Sequence, residues 1–325
     1  MSANALQERI SEESLLTTPT ETPLQEFWRV FKRDRLALAG LAVLILLLVA
    51  AIAGKALTEW AVVFDPATVR LVDKFQPPFS PASELLPEED VPRAGIYLLG
   101  TDELGRDVFA RMLQGSFVSL SIGFVAVGIS TFIGILLGGL AGFYGNVRLG
   151  FISVETLIMR FTDVMLCFPT FFLILTVVAL LPPSIYNIMI VIGITSWMGT
   201  ARFVRAEFLA LRELDFVVAA KAVGLPERRI IFLHMVPNAI APVLVSATIS
   251  VATAILTESA LSFLGFGVQP PFATWGNILS DGKSFIFDAP WLFFIPGMAI
   301  LVVVLAFNLV GEGMREALNP RLRRR

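Results

Sequence analysis

Residue types that support catalysis or metal binding are scarce in this chain of 325 residues. The sequence has one cysteine, Cys167, and one histidine, His234, which excludes an intrachain disulfide and argues against a Cys/His metal site. The stretch ending in Lys283 and Ser284 approaches a phosphate-binding loop, but Asn277 stands where the pattern GxxxxGKS needs its first glycine. We therefore predict no catalytic residue, no metal and no cofactor in this chain, and we expect any ATP chemistry to come from another subunit.

Composition places the chain among proteins that cross a membrane several times. Hydrophobic residues make up 56% of it and charged residues only 16%, and the mean hydropathy is +0.77. Six apolar runs are long enough to cross a hydrocarbon core, which takes about 20 helical residues: 36–54, 117–144, 161–181, 185–203, 239–256 and 291–310. The predicted fold is an all-α polytopic membrane protein with six transmembrane helices, kinked at Pro169 in the third span and Pro296 in the sixth.

Three glycines in the second predicted span are spaced four residues apart, which places them on one face of a helix. They are Gly134, Gly138 and Gly142. Such a ladder of small residues lets two membrane helices approach closely. The alternative interpretation is that these positions reflect only the general abundance of glycine in membrane helices.

The positions of lysine and arginine predict which side of the membrane each connection faces. If the N-terminus is cytoplasmic, 18 of the 25 basic residues lie on the cytoplasmic side and 7 on the outer side. Both termini and the loop 201–238 are then cytoplasmic. The predicted divisions, of which residues 1–21 form a disordered tail, are a juxtamembrane region 1–35, a first span 36–54, an external loop 55–116, a five-helix core 117–310 and a basic C-terminus 311–325.

The loop 201–238 is a structured polar interruption between two spans. Asp215 is expected to cap a short helix, and Gly224 to end it with a positive φ that glycine adopts without strain. Apolar residues repeat at i, i+3, i+4 and i+7 along that helix: Phe216, Ala219, Ala220 and Val223. Pro226 would begin a second helix that runs to a break at Pro237. An amphipathic helix lying on the membrane surface would give the same pattern.

The runs AAKAVG and RIIFLHMVPN in this loop resemble the EAA loop of permease subunits of bacterial ABC importers, in the dipeptide, oligopeptide and nickel group. In that family the loop is a cytoplasmic knob that docks on a separate ATPase subunit. The resemblance implies a type I importer permease fold, and it assigns ATPase coupling to Asp215, Phe216, Ala219, Ala220, Val223, Gly224, Arg228 and Arg229. Val218 stands where many members have Glu. Any ion pair which that Glu makes with the ATPase is therefore not assigned to this chain.

Three further stretches extend the resemblance. Residues 98–115 offer Thr101 or Asp102 as the cap of an interfacial helix and imply a landing surface for an external binding protein. Residues 257–279 suit a segment that dips into the outer leaflet as a gate, with candidate residues Glu258, Phe263 and Trp275. The closing stretch ends in arginines that would meet anionic headgroups or the ATPase: Arg321, Arg323, Arg324 and Arg325.

Glu258 is a candidate because an ionisable group inside a membrane is costly. The hypothesis is that its carboxylate accepts hydrogen bonds from local backbone N–H groups and so holds the gate. A purely structural role, capping a helix that follows a break, is the alternative. Apart from Glu258 and Asp163, which lies at the edge of the third span, the spans lack interior acids.

The resemblance implies an ATP-driven importer in a bacterial inner membrane. This chain and a second permease would enclose the pathway for dipeptides, oligopeptides or a related small solute. Two ATPase subunits would bind ATP and Mg, and an external binding protein would deliver the substrate. The alternatives are a secondary transporter or channel, disfavoured by the scarcity of buried ionisable groups, and a membrane-embedded enzyme, disfavoured by the lack of a catalytic pattern. Nucleic-acid binding is not predicted.

Overall fold

The computed structural model describes residues 22–60, 64–145 and 147–318. The predicted tail at 1–21 and the terminal arginines from Arg321 onward lie outside the described residues. Within the described part the chain forms twelve α-helical segments, which in order are α1 (Pro23–Phe31), α2 (Arg35–Lys55), α3 (Val108–Phe143), α4 (Val154–Cys167), α5 (Thr170–Leu180), α6 (Ile185–Thr195), α7 (Trp197–Arg212), α8 (Asp215–Ala222), α9 (Glu227–Arg229), α10 (Val236–Phe263), α11 (Trp275–Gly282) and α12 (Trp291–Ala317).

Short irregular elements connect the helices. A π-helical turn, Ala56–Trp60, extends α2, and another, Ile230–Met235, joins α9 to α10. Single 3-10 turns lie at Leu71–Asp73 and Lys283–Phe285. Two small antiparallel hairpins complete the description, and their strands are β1 (Ser80–Pro81) with β2 (Ile96–Tyr97), and β3 (Arg148–Leu149) with β4 (Ile152–Ser153).

The helices confirm an all-α polytopic membrane fold with four to six candidate spans. Among the described residues four continuous helices are long and apolar enough to cross a membrane, namely Arg35–Trp60, Val108–Phe143, Glu227–Phe263 and Trp291–Ala317. Two bent pairs, α4 with α5 and α6 with α7, supply the other spans when each pair counts as one.

The third span is broken more sharply than the predicted kink. Its halves, α4 and α5, meet at an angle of 81°. Phe168, which precedes Pro169, has extended backbone with ψ of 130°, because the proline ring disfavours the helical conformation in the residue before it. A milder bend of 41° separates α6 from α7 at Ser196.

Two predicted boundaries in the loop 201–238 are wrong. Pro226 is the N-cap of α9, one residue before the helix. Pro237 does not end a helix, because it falls in the first turn of α10, where a missing N–H costs little. The side chain of Asn238 donates from Nδ2 to the carbonyl group of His234 at 2.6 Å. One helix of 37 residues, Glu227–Phe263, therefore leads from this loop through the fifth span.

The second span also begins elsewhere than predicted. Asp107 caps α3 and accepts a hydrogen bond from the amide of Phe109 at 2.8 Å, whereas Thr101 and Asp102 are fully buried in the preceding loop. Gly105 interrupts the expected interfacial helix with φ of +72°, and a Cβ there would collide with the carbonyl oxygen of Arg70. The prediction failed because that glycine serves a tight turn and not a helix.

α3 lies at the centre of the bundle and contacts α2, α6, α7 and α10. Its three evenly spaced glycines all face α7. A Cβ would lie 2.6 Å from Cβ of Thr200 at Gly134, against the carbonyl oxygen of Ala201 at Gly138, and 2.5 Å from Cβ of Phe208 at Gly142. The two helices thus pack at a distance that side chains at these positions would prevent.

Gly138→Ala is expected to destabilise the protein by about 1–3 kcal/mol, because the added methyl group meets backbone of α7 that has nowhere to move. Gly128→Ala is the matched control, since Gly128 lies in the same helix with no atom within 4 Å of an added Cβ. That control should be neutral or stabilising by up to about 1 kcal/mol. Thermal unfolding in detergent measures both, and equal midpoints for the two variants would contradict the close approach.

Candidate functional site

The predicted coupling helix α8 begins one residue earlier than expected. Leu214 occupies the N-cap position with extended backbone and no side-chain hydrogen bond, so Asp215 is the first helical residue and not the cap. The carboxylate of Asp215 still lies in the first turn, where the helix dipole favours negative charge. The N-terminus of α8 is thus capped by the backbone of Leu214, which lies just after the end of α7.

Gly224 ends α8 in the predicted manner, with φ of +78°. The amide of Leu225 donates to the carbonyl group of Ala220 at 3.1 Å, and the amide of Gly224 donates to that of Lys221 at 3.0 Å. This pair of bonds is a Schellman motif, which requires the left-handed conformation at Gly224. The turn directs the chain from α8 straight into α9.

The predicted apolar stripe of α8 is divided between two faces. Ala220 is buried together with Val217 in a cluster that includes Phe208 of α7 and Ile230 and Met235 of the π-helical turn. Ala220 therefore anchors the helix inside this chain and does not lie on its exposed face. The other three stripe residues are exposed. Phe216 is 39% exposed and Val223 is 82% exposed, and Ala219 lies between them in the helix. An exposed apolar face held on a rigid turn is suited to binding another protein.

Basic residues surround α8. The Nζ atom of Lys221 lies 5.2 Å from the ring centroid of Phe143, which ties α8 to the end of α3. Arg228 and Arg229 are both exposed at the start of the following helix. Their surroundings differ, because Arg228 lines an apolar groove beside α3 and Arg229 does not.

Glu258 is fully buried inside α10 and binds hydroxyl groups instead of the predicted backbone amides. The Oγ atoms of Ser262 and Ser119 donate to it at 2.7 and 3.5 Å, and the Thr274 hydroxyl also contacts it. Backbone capping was a wrong prediction because Glu258 lies within a continuous helix, whose amides already bond to the preceding turn. The carboxyl group links α10 to α3 and to the segment before α11.

The other two gate candidates lie apart: Trp275 begins α11, whereas Phe263 ends α10. Trp275 is 1% exposed, and its amide donates to Oγ of Ser119 at 3.3 Å while its Nε1 donates to the carbonyl group of Met112 at 3.4 Å. Phe263 is half-buried, and its carbonyl group accepts hydrogen bonds from Ser280 and Lys283 near the end of α11. Ser119 thus brings Glu258 and Trp275 together, whereas Phe263 lies apart from them.

A buried ionic network near this segment was missed by the sequence analysis. Asp102, fully buried, accepts from Nε of Arg106 at 2.7 Å and from Nη1 of Arg111 at 2.5 Å. Asp281 of α11 lies 2.9 Å from Nη2 of Arg111 and 3.6 Å from Nη2 of Arg106. Burial, with the neighbouring carboxylates of Asp281 and Asp102, raises the pKa of Glu103. The spacing of Asp102 and Arg106 signalled one pair, but nothing in the sequence linked either to Asp281.

Arg111→Met should lower the free energy of unfolding by about 3–5 kcal/mol, because it leaves the Asp102 carboxylate buried with less charge to pair with. Asp281→Asn should cost less, since that side chain is already 31% exposed and both arginines keep the Asp102 carboxylate as a partner. Arg93→Met removes the same charge from an exposed position of the external loop and serves as the control. Denaturant unfolding in detergent ranks the three variants by their loss of unfolding free energy. An unfolding midpoint equal to wild type for Arg111→Met would contradict a stabilising role for the network.

Glu258→Gln should be mild because the amide oxygen still accepts a hydroxyl hydrogen bond. Glu258→Leu should destabilise the outer end of the bundle, since Ser119 and Ser262 lose their acceptor at about 1–3 kcal/mol for each unsatisfied group. Thermal unfolding and transport by the assembled complex should be measured together. If Gln and Leu were equally harmless, neither a structural nor a gating role would stand.

The fold and these sites define a class: a multi-pass helical membrane subunit with an exposed apolar helical knob between two spans. The family model "Binding-protein-dependent transport system inner membrane component" matches residues 130–324, and "N-terminal TM domain of oligopeptide transport permease C" matches residues 22–78. The chain therefore belongs to the family of inner membrane components of binding-protein-dependent transport systems. It is a multi-pass transport permease component, and in such importers separate subunits hydrolyse ATP.

Curated relatives align along nearly the whole chain. A dipeptide transport permease DppC of Alkalihalophilus pseudofirmus is 38% identical over 93% of this chain and 91% of its own. A di/tripeptide permease DppC of Pseudomonas aeruginosa is 39% identical over 98% and 99%. An oligopeptide permease OppC of Bacillus subtilis is 34% identical over 90% and 88%. Among solved structures, a chain of the inward-facing MetNI methionine ABC transporter covers 65% of this chain with 17% identity and a TM-score of 0.49.

Proposed function

We propose that this chain is a permease subunit of an ABC importer that carries dipeptides or oligopeptides across a bacterial inner membrane. The observation that carries the proposal is the exposed apolar face of α8, held on the turn at Gly224, in a chain of this family. The names of its relatives give the substrate class, since they are permeases for dipeptides, for di/tripeptides and for oligopeptides.

The proposed assembly contains a second permease and two ATPase subunits, which bind ATP and Mg. The distribution of basic residues supports a cytoplasmic position for both termini and for α8. Phe216, Ala219 and Val223 would insert into an apolar groove of an ATPase subunit, and Arg229 would meet acidic residues at its rim. Burying these apolar side chains stabilises such a contact in proportion to the area removed from water.

The packing of α8 supports a mechanism for coupling. Val217 and Ala220 contact the same cluster as Phe208 of α7 and Met235 at the start of the fifth span, so a displacement of α8 acts on several helices together. The helix Glu227–Phe263 has 37 residues, or about 55 Å at 1.5 Å per residue. It ends beside the Glu258 hydroxyl cluster, and it would carry movement from the ATPase to the outer gate.

The external loop supports a landing surface for a binding protein. Asp73, fully buried there, accepts from the Tyr97 hydroxyl at 2.6 Å and from the amide of Ser83 at 3.1 Å, and burial raises the pKa of Tyr97. This core orders a loop that exposes two large apolar side chains, Phe79 at 72% and Leu85 at 80%. A rigid surface with exposed apolar side chains is suited to binding a delivery protein, because little conformational entropy is lost on binding.

Ala219→Asp should weaken ATPase binding at least about tenfold, because the new carboxylate would be buried without a partner in the interface. Ala219→Ser is the matched control and should retain binding, since it adds a polar group of similar size without charge. Gly224→Val should act like Ala219→Asp for a different reason, as a β-branched residue with φ near +78° is strained.

Pull-down of the ATPase subunits and substrate-stimulated ATP hydrolysis in reconstituted membranes measure these effects. Membrane insertion should stay intact in all three variants, since none of these positions lies within a span. Normal pull-down and normal stimulated hydrolysis in Ala219→Asp would show that α8 is not the coupling element. A transporter that works without any ATPase would overturn the proposed function as a whole.

A further inference from the structure

An apolar groove lies on the surface of the bundle beside the C-terminal half of α3. It has a volume of about 300 Å³ and lies between α3, α7 and the π-helical turn that precedes α10. Phe132 and Leu136 of α3 line one wall, and Phe232 of the π-helical turn lines the other. All three side chains are substantially exposed, at 69%, 48% and 65% respectively.

The polar groups of the groove are concentrated at one end. Within the described part of the chain, Arg228 is the one charged residue among those that line it. Tyr144, the C-cap of α3, also lines the groove and lies close to both Glu227 and Arg228. Arg228 is exposed, so its guanidinium is available to a ligand at this end of the groove.

The length of the groove matches one leaflet of a bilayer. From Phe132 to Tyr144 the helix rises about 18 Å at 1.5 Å per residue, and half of a hydrocarbon core is about 15 Å thick. A transmembrane helix is about 10–12 Å across with its side chains, so a segment about 18 Å long occupies far more than the 300 Å³ of the groove. An extended hydrocarbon chain matches that length.

We propose that this groove binds a phospholipid with an anionic headgroup in the cytoplasmic leaflet. One acyl chain lies along Phe132, Leu136 and Phe232, and the phosphate pairs with the guanidinium of Arg228. The planar guanidinium of an arginine can donate two parallel hydrogen bonds to one phosphate group. This geometry favours a phosphate held at one position over loosely attached anionic lipids. The site lies outside the transport function proposed above, and only its assignment to the cytoplasmic leaflet rests on the cytoplasmic position proposed there for α8.

The site adjoins the coupling knob. Phe208 lines the groove and also belongs to the cluster that holds Val217 and Ala220 of α8. Arg228 follows Gly224 by four residues, so a lipid bound there would restrain the turn that orients α8. The structure therefore separates two arginines that looked equivalent in the sequence: Arg228 belongs to the lipid site, and Arg229 is available to a protein partner.

The test is the lipid content of the full chain purified in mild detergent from membranes with its co-purifying subunits. Native mass spectrometry should detect a bound phosphatidylglycerol or another anionic phospholipid on the wild-type protein. Arg228→Gln should reduce that occupancy about fivefold, the factor expected for one arginine at an anionic surface. Arg229→Gln is the matched control and should retain wild-type occupancy.

A second variant separates loss of the site from a general loss of charge. Leu136→Trp fills the groove and should expel the lipid although Arg228 is intact, whereas Leu46→Trp on the exposed face of α2 should not. Nanodiscs of phosphatidylcholine, with or without phosphatidylglycerol, should show thermal stabilisation by phosphatidylglycerol in the wild type and none in Arg228→Gln. Equal occupancy in Arg228→Gln and Arg229→Gln would overturn the proposal, as would cross-linking of position 232 to a second permease.

Discussion

Close contact between the backbones of α3 and α7 is the constraint on which the rest of this bundle depends. Inside a membrane no hydrophobic effect drives helices together, so they associate where small residues allow extensive van der Waals contact. The glycine ladder that faces Thr200, Ala201 and Phe208 provides that contact. With α7 fixed against α3, the cluster around Phe208 can form, and this cluster in turn positions α8.

Polar groups buried at the opposite end of the bundle hold the segments there in place. The Asp102, Arg106, Arg111 and Asp281 network joins the external loop, α3 and α11. Glu258 joins α3, α10 and the segment before α11 through hydroxyl groups. Buried charges are costly unless they are paired, and paired charges specify one arrangement of neighbours more than they add stability. This end of the protein is therefore defined by directional bonds, whereas the middle is defined by packing.

The continuous helix Glu227–Phe263 connects the packed middle of the bundle with the end that is held by directional polar bonds. Its first turns carry Arg228, beside the lipid groove, and its π-helical turn supplies residues to the knob cluster. π-helical turns insert one extra residue and often mark functional positions. This helix starts beside the cluster that holds α8 and carries the buried carboxyl group of Glu258 near its other end, so it joins the two ends of the bundle.

The sequence by itself determined the membrane class, the six spans, the positive φ of Gly224 and the family, because each depends on composition, on local spacing or on short contiguous patterns. It did not determine that Ala220 faces inward while Ala219 faces outward, since both lie on one apolar stripe and only the neighbouring helices decide which side is covered. The break at Phe168 is a local effect of the proline that follows it. The uninterrupted passage through Pro237 and the pairing of Arg111 with Asp281 were decided by tertiary structure. In each case the partner group lies far away in the sequence, or a proline effect depends on which turn of the helix it occupies.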